Sequence, residues 1–530
     1  MTCPLARPVP GARPTMAVNP EYSPAALARA AGFADIGQII AATARVRGPA
    51  SALDDGSRAL SYTAFDARAN RLAQALLAYG LRPGERIAVL AENRFEYLEL
   101  ALAAARTGLI LCALNWRFAP GELAHCVALT APRVLFVSPR HAGLLGPVAD
   151  CTTIVLGEAY EALLAPQAAL APLACCGPED GYIILYTSGT TGAAKAAVIS
   201  HRAEVARLAL GRIDTGLAPA DNFVAWAPLF HMVALEHALH VLALGGTVHL
   251  VDGADIDRIV DLACTVPQWW LVLLPGMIDR VVAAMTRRGR PPAPLKMVGA
   301  LADLVSPALV AETSRVFRAP YWNTFGSTET GMLPFAGTRF AIGEQPRSLA
   351  KAVNSLHLFK LVDSDDQEVP AGEPGEVAVR GPTLFSGYWR AQATNAEDFR
   401  GGWFHLGDVF RAAPDGRYDY VDRVKYLIKT GAENVYPAEI ERVLLQDPRV
   451  LEAVVVRRPD ARWGEVPVAL VCCTSPAPEA AELFARCRAQ LPGYKQPKDL
   501  RFVASPDDFP RSTSGKIQRQ ALEGWVRDST

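Results

Sequence analysis

The stretch Tyr186-Thr187-Ser188-Gly189-Thr190-Thr191-Gly192-Ala193-Ala194-Lys195-Ala196 sets four Ser/Thr hydroxyl side chains, two glycines and a lysine directly after the apolar run Tyr182-Ile183-Ile184-Leu185. Hydroxyls donate hydrogen bonds, glycines let backbone N–H groups approach an anion closely, and Lys195 adds a point charge, a combination suited to holding phosphate. The lysine does not follow the second glycine directly, so this is neither the GxxxxGK[ST] loop of P-loop nucleotide binders nor GxGxxG. Taken alone, the stretch reads equally as a Gly/Thr turn between strands.

Three further segments carry chemistry of a compatible kind. In Asn323-Thr324-Phe325-Gly326-Ser327-Thr328-Glu329, Gly326 allows a tight turn, Thr328 can donate to a phosphate oxygen and Glu329 is a hard oxygen donor suited to Mg²⁺, while Phe325 has a flat face for a purine. In Gly402-Trp403-Phe404-His405-Leu406-Gly407-Asp408, Asp408 sits behind a glycine at a strand end, where an acidic residue can accept the hydroxyls of a ribose. Near the C-terminus, Pro510-Arg511-Ser512-Thr513-Ser514-Gly515-Lys516-Ile517 sets a lysine in a Ser/Gly loop. Each has an ordinary alternative: a solvated loop glutamate, a turn aspartate, a solvated tail lysine. His231, His237 and His240 lie close together beside Glu236, but not with HExxH spacing, and His231 and His237 point to different faces of a helix. No metal site is expected there, and the run Trp269-Trp270-Leu271-Val272-Leu273-Leu274 is expected to be core.

Such groups need a scaffold. From about residue 60 short β-rich runs alternate with helical stretches: a strand at 86–90, a helix at 95–106, a strand at 109–114, a helix at 120–129 and a strand at 133–137. This spacing predicts parallel α/β layers. After a loop-like stretch at 165–180 the pattern resumes with a strand at 181–186. A helix capped by Ser200 follows, with Val205, Leu208 and Ala209 on one face, then strands at 223–226 and 247–251 around a helix near 232–244. Beyond residue 355 short alternating runs such as 375–380 and 416–420 predict antiparallel strands. A final stretch of about a hundred residues has its own α/β alternation and the size of a small domain.

With 530 residues the chain exceeds one hydrophobic core. The expected division is an arm without fixed structure over 1–29, a large domain of α/β layers with a β-rich subdomain over 30–422, and a small mobile α/β domain over 423–530. A formal net charge of −1 argues against nucleic acid and anionic membrane as partners. Ten cysteines include no CxxC pair, which fits thiols in the cytoplasm rather than a zinc or redox motif. The most apolar stretch, Leu98 to Leu114, is interrupted by Glu99, Arg106 and Gly108 and reads as a buried helix and strand rather than an integral membrane segment. The first fifteen residues lack the apolar core of a secretory signal.

Read in order, these segments resemble the adenylate-forming superfamily of acyl-CoA synthetases, adenylation domains and luciferases. The resemblance runs from about residue 30 onward through YTSGTTGAAKA, Pro228-Leu229-Phe230-His231, FGSTE, GWFHLGD, DRVKYLIKTGAENVYPAEIE (422–441) and PRSTSGK. It implies a two-step ligase: a carboxylate attacks the α-phosphate of Mg·ATP, giving acyl-adenylate and pyrophosphate, and a thiol, usually that of coenzyme A, then takes the acyl group. It further implies that Thr187, Ser188, Gly189, Thr190, Thr191, Gly192 and Lys195 hold the leaving phosphates, that Thr328 contacts the α-phosphate and that Glu329 binds Mg²⁺. Adenosine would lie among Asn323, Thr324 and Phe325, its ribose on Asp408 and Arg423. Lys516 would be the catalytic lysine, Lys425 the hinge, and His231, Met232, Gly299, Gly326 and Gly431 would face the acid or CoA.

Some positions depart from the common pattern. Asp422 stands where most members have glycine, Ala432 replaces the second glycine of GGEN beside the thiol tunnel, and Val298-Gly299-Ala300-Leu301-Ala302 matches the adenine-side motif loosely. The aspartate that amino-acid-activating members place after the motif phenylalanine is here His231, so an ammonium would lack that partner. The expected substrate is an uncharged acyl tail, fatty or aromatic, activated by ATP and passed to CoA. Transfer to a carrier protein, or nucleotide binding without catalysis, are the alternatives, and a homodimer is left open.

Overall fold

The strand Arg86–Leu90 lies between Ile110–Ala113 and Val134–Val137 and runs parallel to both. It belongs to a six-stranded sheet completed by Thr152–Val155 on one edge and by the hairpin Gly181–Thr187 and Lys195–Ser200 on the other. Helix Phe95–Thr107 forms the crossover, and all its residues are buried. That burial explains the apolar texture of this stretch. Its interrupting charges are satisfied inside: Glu99 accepts from Arg68 and Tyr160, each at 2.6 Å, and Arg106 pairs with Asp66. Among the described residues no helix is long and apolar enough to cross a membrane.

This computed structural model describes residues 33–172, 176–187, 193–431, 433–511 and 517–527. The arm expected over 1–29, the expected phosphate-holding residues Ser188 to Gly192, Ala432 and Lys516 therefore lie outside the described residues.

A second sheet of eight strands has the order Thr338–Phe340, Tyr321–Asn323, Leu295–Val298, Gln268–Leu271, Asn222–Ala225, Val248–Leu250, Ser51–Asp54, Ala59–Ser61. Its central strands are parallel, and helices such as His201–Thr215 and Met232–Ala243 pack into the same core. A four-stranded antiparallel sheet follows, Leu358–Val362, Pro374–Arg380, Phe404–Ala412 and Tyr418–Arg423. The last sheet contains Ile428–Thr430, Glu433–Val435, Val450–Asp460, Gly464–Cys473 and Asp499–Val503. It has apolar clusters of its own, one around Ile440, Val455 and Leu483, the other around Val456, Phe509 and Leu522. The fold is α/β, with a large N-terminal and a small C-terminal part.

Two local expectations need correction. The strand expected at 416–420 occupies Tyr418–Arg423, because Asp415 accepts from the Arg417 N–H and closes a turn first. In helix His201–Thr215, Val205 and Ala209 are only half-buried, while His201, Glu204, Arg207 and Leu208 point inward. The cause is packing against helix Met232–Ala243, whose own charged residues meet them there.

Candidate active site

The segment after strand Tyr321–Asn323 is shaped by close backbone approaches. A Cβ on Gly326 would lie 2.5 Å from the Gly331 carbonyl, so only glycine fits there. Ser327 and Gly331 exchange backbone hydrogen bonds, at 3.1 and 2.9 Å, and close a turn with Thr328 and Glu329 at its apex, both half-buried. Asn323 and Thr324 are buried and brace the turn from behind: Asn323 donates to the Leu349 carbonyl at 2.8 Å, and Thr324 Oγ1 accepts from the Leu301 N–H at 3.0 Å. Phe325 is largely buried against Phe410, Phe335 and Tyr420.

Beneath the apex lies Arg207. Its Nη2 donates to the carbonyls of Thr328 and Glu329 at 3.1 and 3.2 Å, its Nε to Thr383 at 2.9 Å, and its Nη1 to the Glu236 carboxylate. Both side chains of this ion pair are 3% exposed. Sequence reading missed Arg207, because an arginine on a helix ordinarily belongs to the solvated face.

The Glu329 carboxylate accepts from the Tyr388 hydroxyl at 2.7 Å. The ring of Tyr388 lies 4.8 Å from the Lys195 ammonium, which is also 4.0 Å from Asp398. Thr187 and Lys195 are register partners at the end of the paired strands Gly181–Thr187 and Lys195–Ser200. The structure thus brings Thr187 and Lys195 to Glu329 through one tyrosine. Tyr388 and Asp398 were missed, although the run Phe385-Ser386-Gly387-Tyr388-Trp389 was a visible aromatic signal. Burial pushes the Asp398 carboxyl up against the pull of Lys195, with Glu329 adding to the rise.

Asp408 and Arg423 are register partners on adjacent antiparallel strands, and Arg423 donates to both carboxylate oxygens, at 3.0 and 3.4 Å. The Asp408 charge holds the guanidinium above its ordinary range. Next to it, Asp422 accepts from the Ala438 N–H at 2.8 Å at the start of helix Pro437–Leu444. Burial pushes its carboxyl up to about 6. A glycine at 422 would leave that N–H without this acceptor. Lys425 is exposed, with its ammonium 4.9 Å from the Tyr426 ring. Gly431 takes φ +64° and donates to the Trp463 carbonyl at 2.7 Å.

On the remaining side, His231 caps helix Met232–Ala243, and both His231 and Met232 are half-buried. Gly299 takes φ +83°, and a Cβ there would lie 2.3 Å from the Tyr321 ring. Further down the helix, His237 and His240 face a cavity of about 30 Å³ lined also by Arg207, Glu236, Trp269 and Trp322. Trp269 is core as expected, and it also forms part of this wall. Burial pushes Glu204 and Glu236 up to about 7 and holds His237 and His240 down, to about 3 and about 4.

Among the described residues, the Asp408–Arg423 pair and the Lys195 and Glu329 groups joined through Tyr388 are of the chemical types that bind vicinal hydroxyls, phosphate and a hard cation. Residues 40–389 match the family model described as AMP-binding enzyme, and residues 439–516 match that for the AMP-binding enzyme C-terminal domain. The chain is 33% identical over 488 residues to a feruloyl-CoA synthase of Amycolatopsis sp, covering 91% of this chain and 96% of the relative. It is 32% identical over 489 residues to the indoleacetate–CoA ligase of Aromatoleum aromaticum, covering 89% and 94%. In fold it is similar to the anthranilate CoA ligase AuaEII in complex with anthranoyl-AMP, with a TM-score of 0.83 and 23% identity over 94% of this chain and 98% of that one.

Proposed function

This chain belongs to the AMP-binding enzyme family and is an AMP-forming ligase of the acyl-CoA synthetase type, and from that premise we propose that it activates an uncharged aromatic or fatty monocarboxylic acid and transfers the acyl group to CoA. In the first step a carboxylate oxygen attacks the α-phosphorus of ATP, and the bond to pyrophosphate breaks. In the second the thiol sulfur attacks the acyl carbonyl, its proton is lost to solvent, and AMP leaves with the bonding pair. Neither step needs covalent help from the protein. What it supplies is position and charge neutralisation.

The observation that carries the reading is the link through Tyr388, which ties the Glu329 carboxylate to the Lys195 ammonium. A group for a phosphate-bound cation and a group for the phosphates themselves are thereby held in one place. Mg²⁺ commonly takes one or two carboxylates and completes its shell with phosphate oxygens and water, which suits Glu329, and when bound it neutralises triphosphate charge. In this reading Thr328 meets the α-phosphate, Asp408 and Arg423 hold the ribose, and Lys516 stabilises the charge of the first transition state. The small domain from residue 423 then turns about Lys425 to exchange Lys516 for the thiol.

The test is acid-dependent exchange of labelled pyrophosphate into ATP, followed by thioester formation on adding CoA. Exchange with aromatic or fatty acids and an AMP-coupled thioester are expected. Exchange with amino acids alone would overturn the substrate class, and a thioester formed on a carrier protein but not on CoA would overturn the acceptor.

A further inference from the structure

Strands Pro374–Arg380 and Phe404–Ala412 do not pair evenly. His405 is in register with Ala378 and Val409 with Glu376, so Leu406, Gly407 and Asp408 together stand opposite Val377 alone. Three residues against one make a β-bulge, which bends the strand and re-aims the side chains it carries. On its other edge the same strand keeps Asp408 in register with Arg423. The direction in which Asp408 leaves the sheet is therefore set by whatever pins the bulge.

A side chain pins it. Gly407, at φ +73° and half-buried, donates its backbone N–H to Glu376 Oε1 at 3.0 Å. A bulge takes such a group out of the ladder, and a donor shielded from water needs another acceptor. The second carboxylate oxygen, Oε2, accepts from Arg400 Nη2 at 3.2 Å, and His405 Nδ1 lies 3.4 Å from it. Arg400 has a further counter-charge, since its Nε donates to both Asp366 oxygens at 3.0 Å. Glu376 is therefore not needed to neutralise Arg400. Its other oxygen is committed to the backbone of the bulge.

We propose that Glu376 is a positioning residue: by accepting the Gly407 N–H across the bulge it fixes the aim of Asp408 and of the Arg423 paired with it. Arg400 and His405 in turn hold Glu376. The inference rests on the ligase reading above only in taking Asp408 as the ribose acceptor. Hydrogen bonds weaken steeply with misalignment, so a loosened bulge costs recognition of the ribose hydroxyls before it costs the fold. A loss confined to those hydroxyls separates this role from general support of the sheet.

Two measurements on the intact protein test it. Titration calorimetry with Mg²⁺ compares binding of ATP with that of 2′-deoxy-ATP and 3′-deoxy-ATP, and amide hydrogen exchange reads the Gly407 N–H directly. Wild type should bind ATP about tenfold or more tightly than either deoxynucleotide, the loss expected when a hydrogen bond to a charged group is removed. In Glu376→Ala that preference should fall to about threefold or less. The Gly407 amide should then exchange about tenfold faster. In Glu376→Gln, whose amide oxygen still accepts, both readouts should stay near wild type. A folded E376A that keeps the full preference for ATP overturns the inference. So does exchange of the wild-type Gly407 amide at the rate of an exposed loop, which decides the matter even if E376A does not fold. If wild type binds all three nucleotides equally while E376A alone speeds Gly407 exchange, the brace stands and the ribose assignment is at fault.

Discussion

Replacing Arg207 by methionine keeps an unbranched apolar stem and removes the guanidinium under the Thr328–Glu329 turn. Three backbone carbonyls lose donors, and Glu204 and Glu236 lose their cation. Deleting one member of a buried ion pair costs about 3–5 kcal/mol. Protonation relieves part of this, because both carboxyls already stand at about 7 and rise further without the cation, so the loss should be smaller at pH 6 than at pH 8. Removing both members at once, in R207M/E236L, exchanges the pair for apolar groups and should restore most of the stability. Activity should not follow. Two hydrogen bonds on the apex carbonyls are still missing, and at about 1 kcal/mol each they amount to about 2 kcal/mol of lost positioning. That corresponds to about a 30-fold fall in kcat/KM for pyrophosphate release. Denaturant midpoints at the two pH values and continuous pyrophosphate assays on wild type and both variants measure the two effects. Recovery of wild-type kcat/KM in the double variant would refute the reasoning, since Arg207 would then serve only to neutralise Glu236.

The same cluster sets a pH dependence of stability. Glu204 is raised from 4.5 to about 7 in the fold by burial, so its contribution is full below about pH 4.5 and is lost as pH rises to about 7. His237 and His240, held down by burial, act in the opposite sense and lose their contribution as pH falls below 6.5. Glu204→Gln removes one side of this balance, so its stability relative to wild type should rise by roughly 1.4 kcal/mol per pH unit between about 4.5 and 7. A flat difference in denaturation midpoints across that range would contradict it. Tyr388→Phe removes the donor on Glu329 and should lower kcat/KM about tenfold while raising the Mg²⁺ concentration needed; an unchanged Mg²⁺ titration counts against the link. Lys516→Ala should abolish pyrophosphate release yet spare thioester formation from supplied acyl-adenylate and CoA, and an undiminished adenylation rate would sink the assigned role.

Much of the frame was legible beforehand. The strand expected at 86–90 is Arg86–Leu90, and the helix expected at 120–129 is Pro120–Thr130, because alternation and cap signals are local properties. The ordered motifs were legible for the same reason: glycine, hydroxyl and charge within a few residues define what a loop can hold. Gly326 and Asp408 were picked out on chemistry alone, and the structure gives them a close backbone approach and a register-matched arginine.

The interior of the site was not legible in that way. Arg207 and Glu236 are separated by 29 residues and lie on different helices, and each by itself looks like a solvated helix charge. His237 and His240 looked like a failed metal motif, and Tyr388 was not singled out at all. Periodicity tells which residues share a face, but not what that face meets. A charge on an inward face is tolerable only when another element supplies its counter-charge. The reaction class therefore follows from sequence, whereas the buried ion pair that braces the Thr328–Glu329 turn exists only once two helices pack and their charges meet.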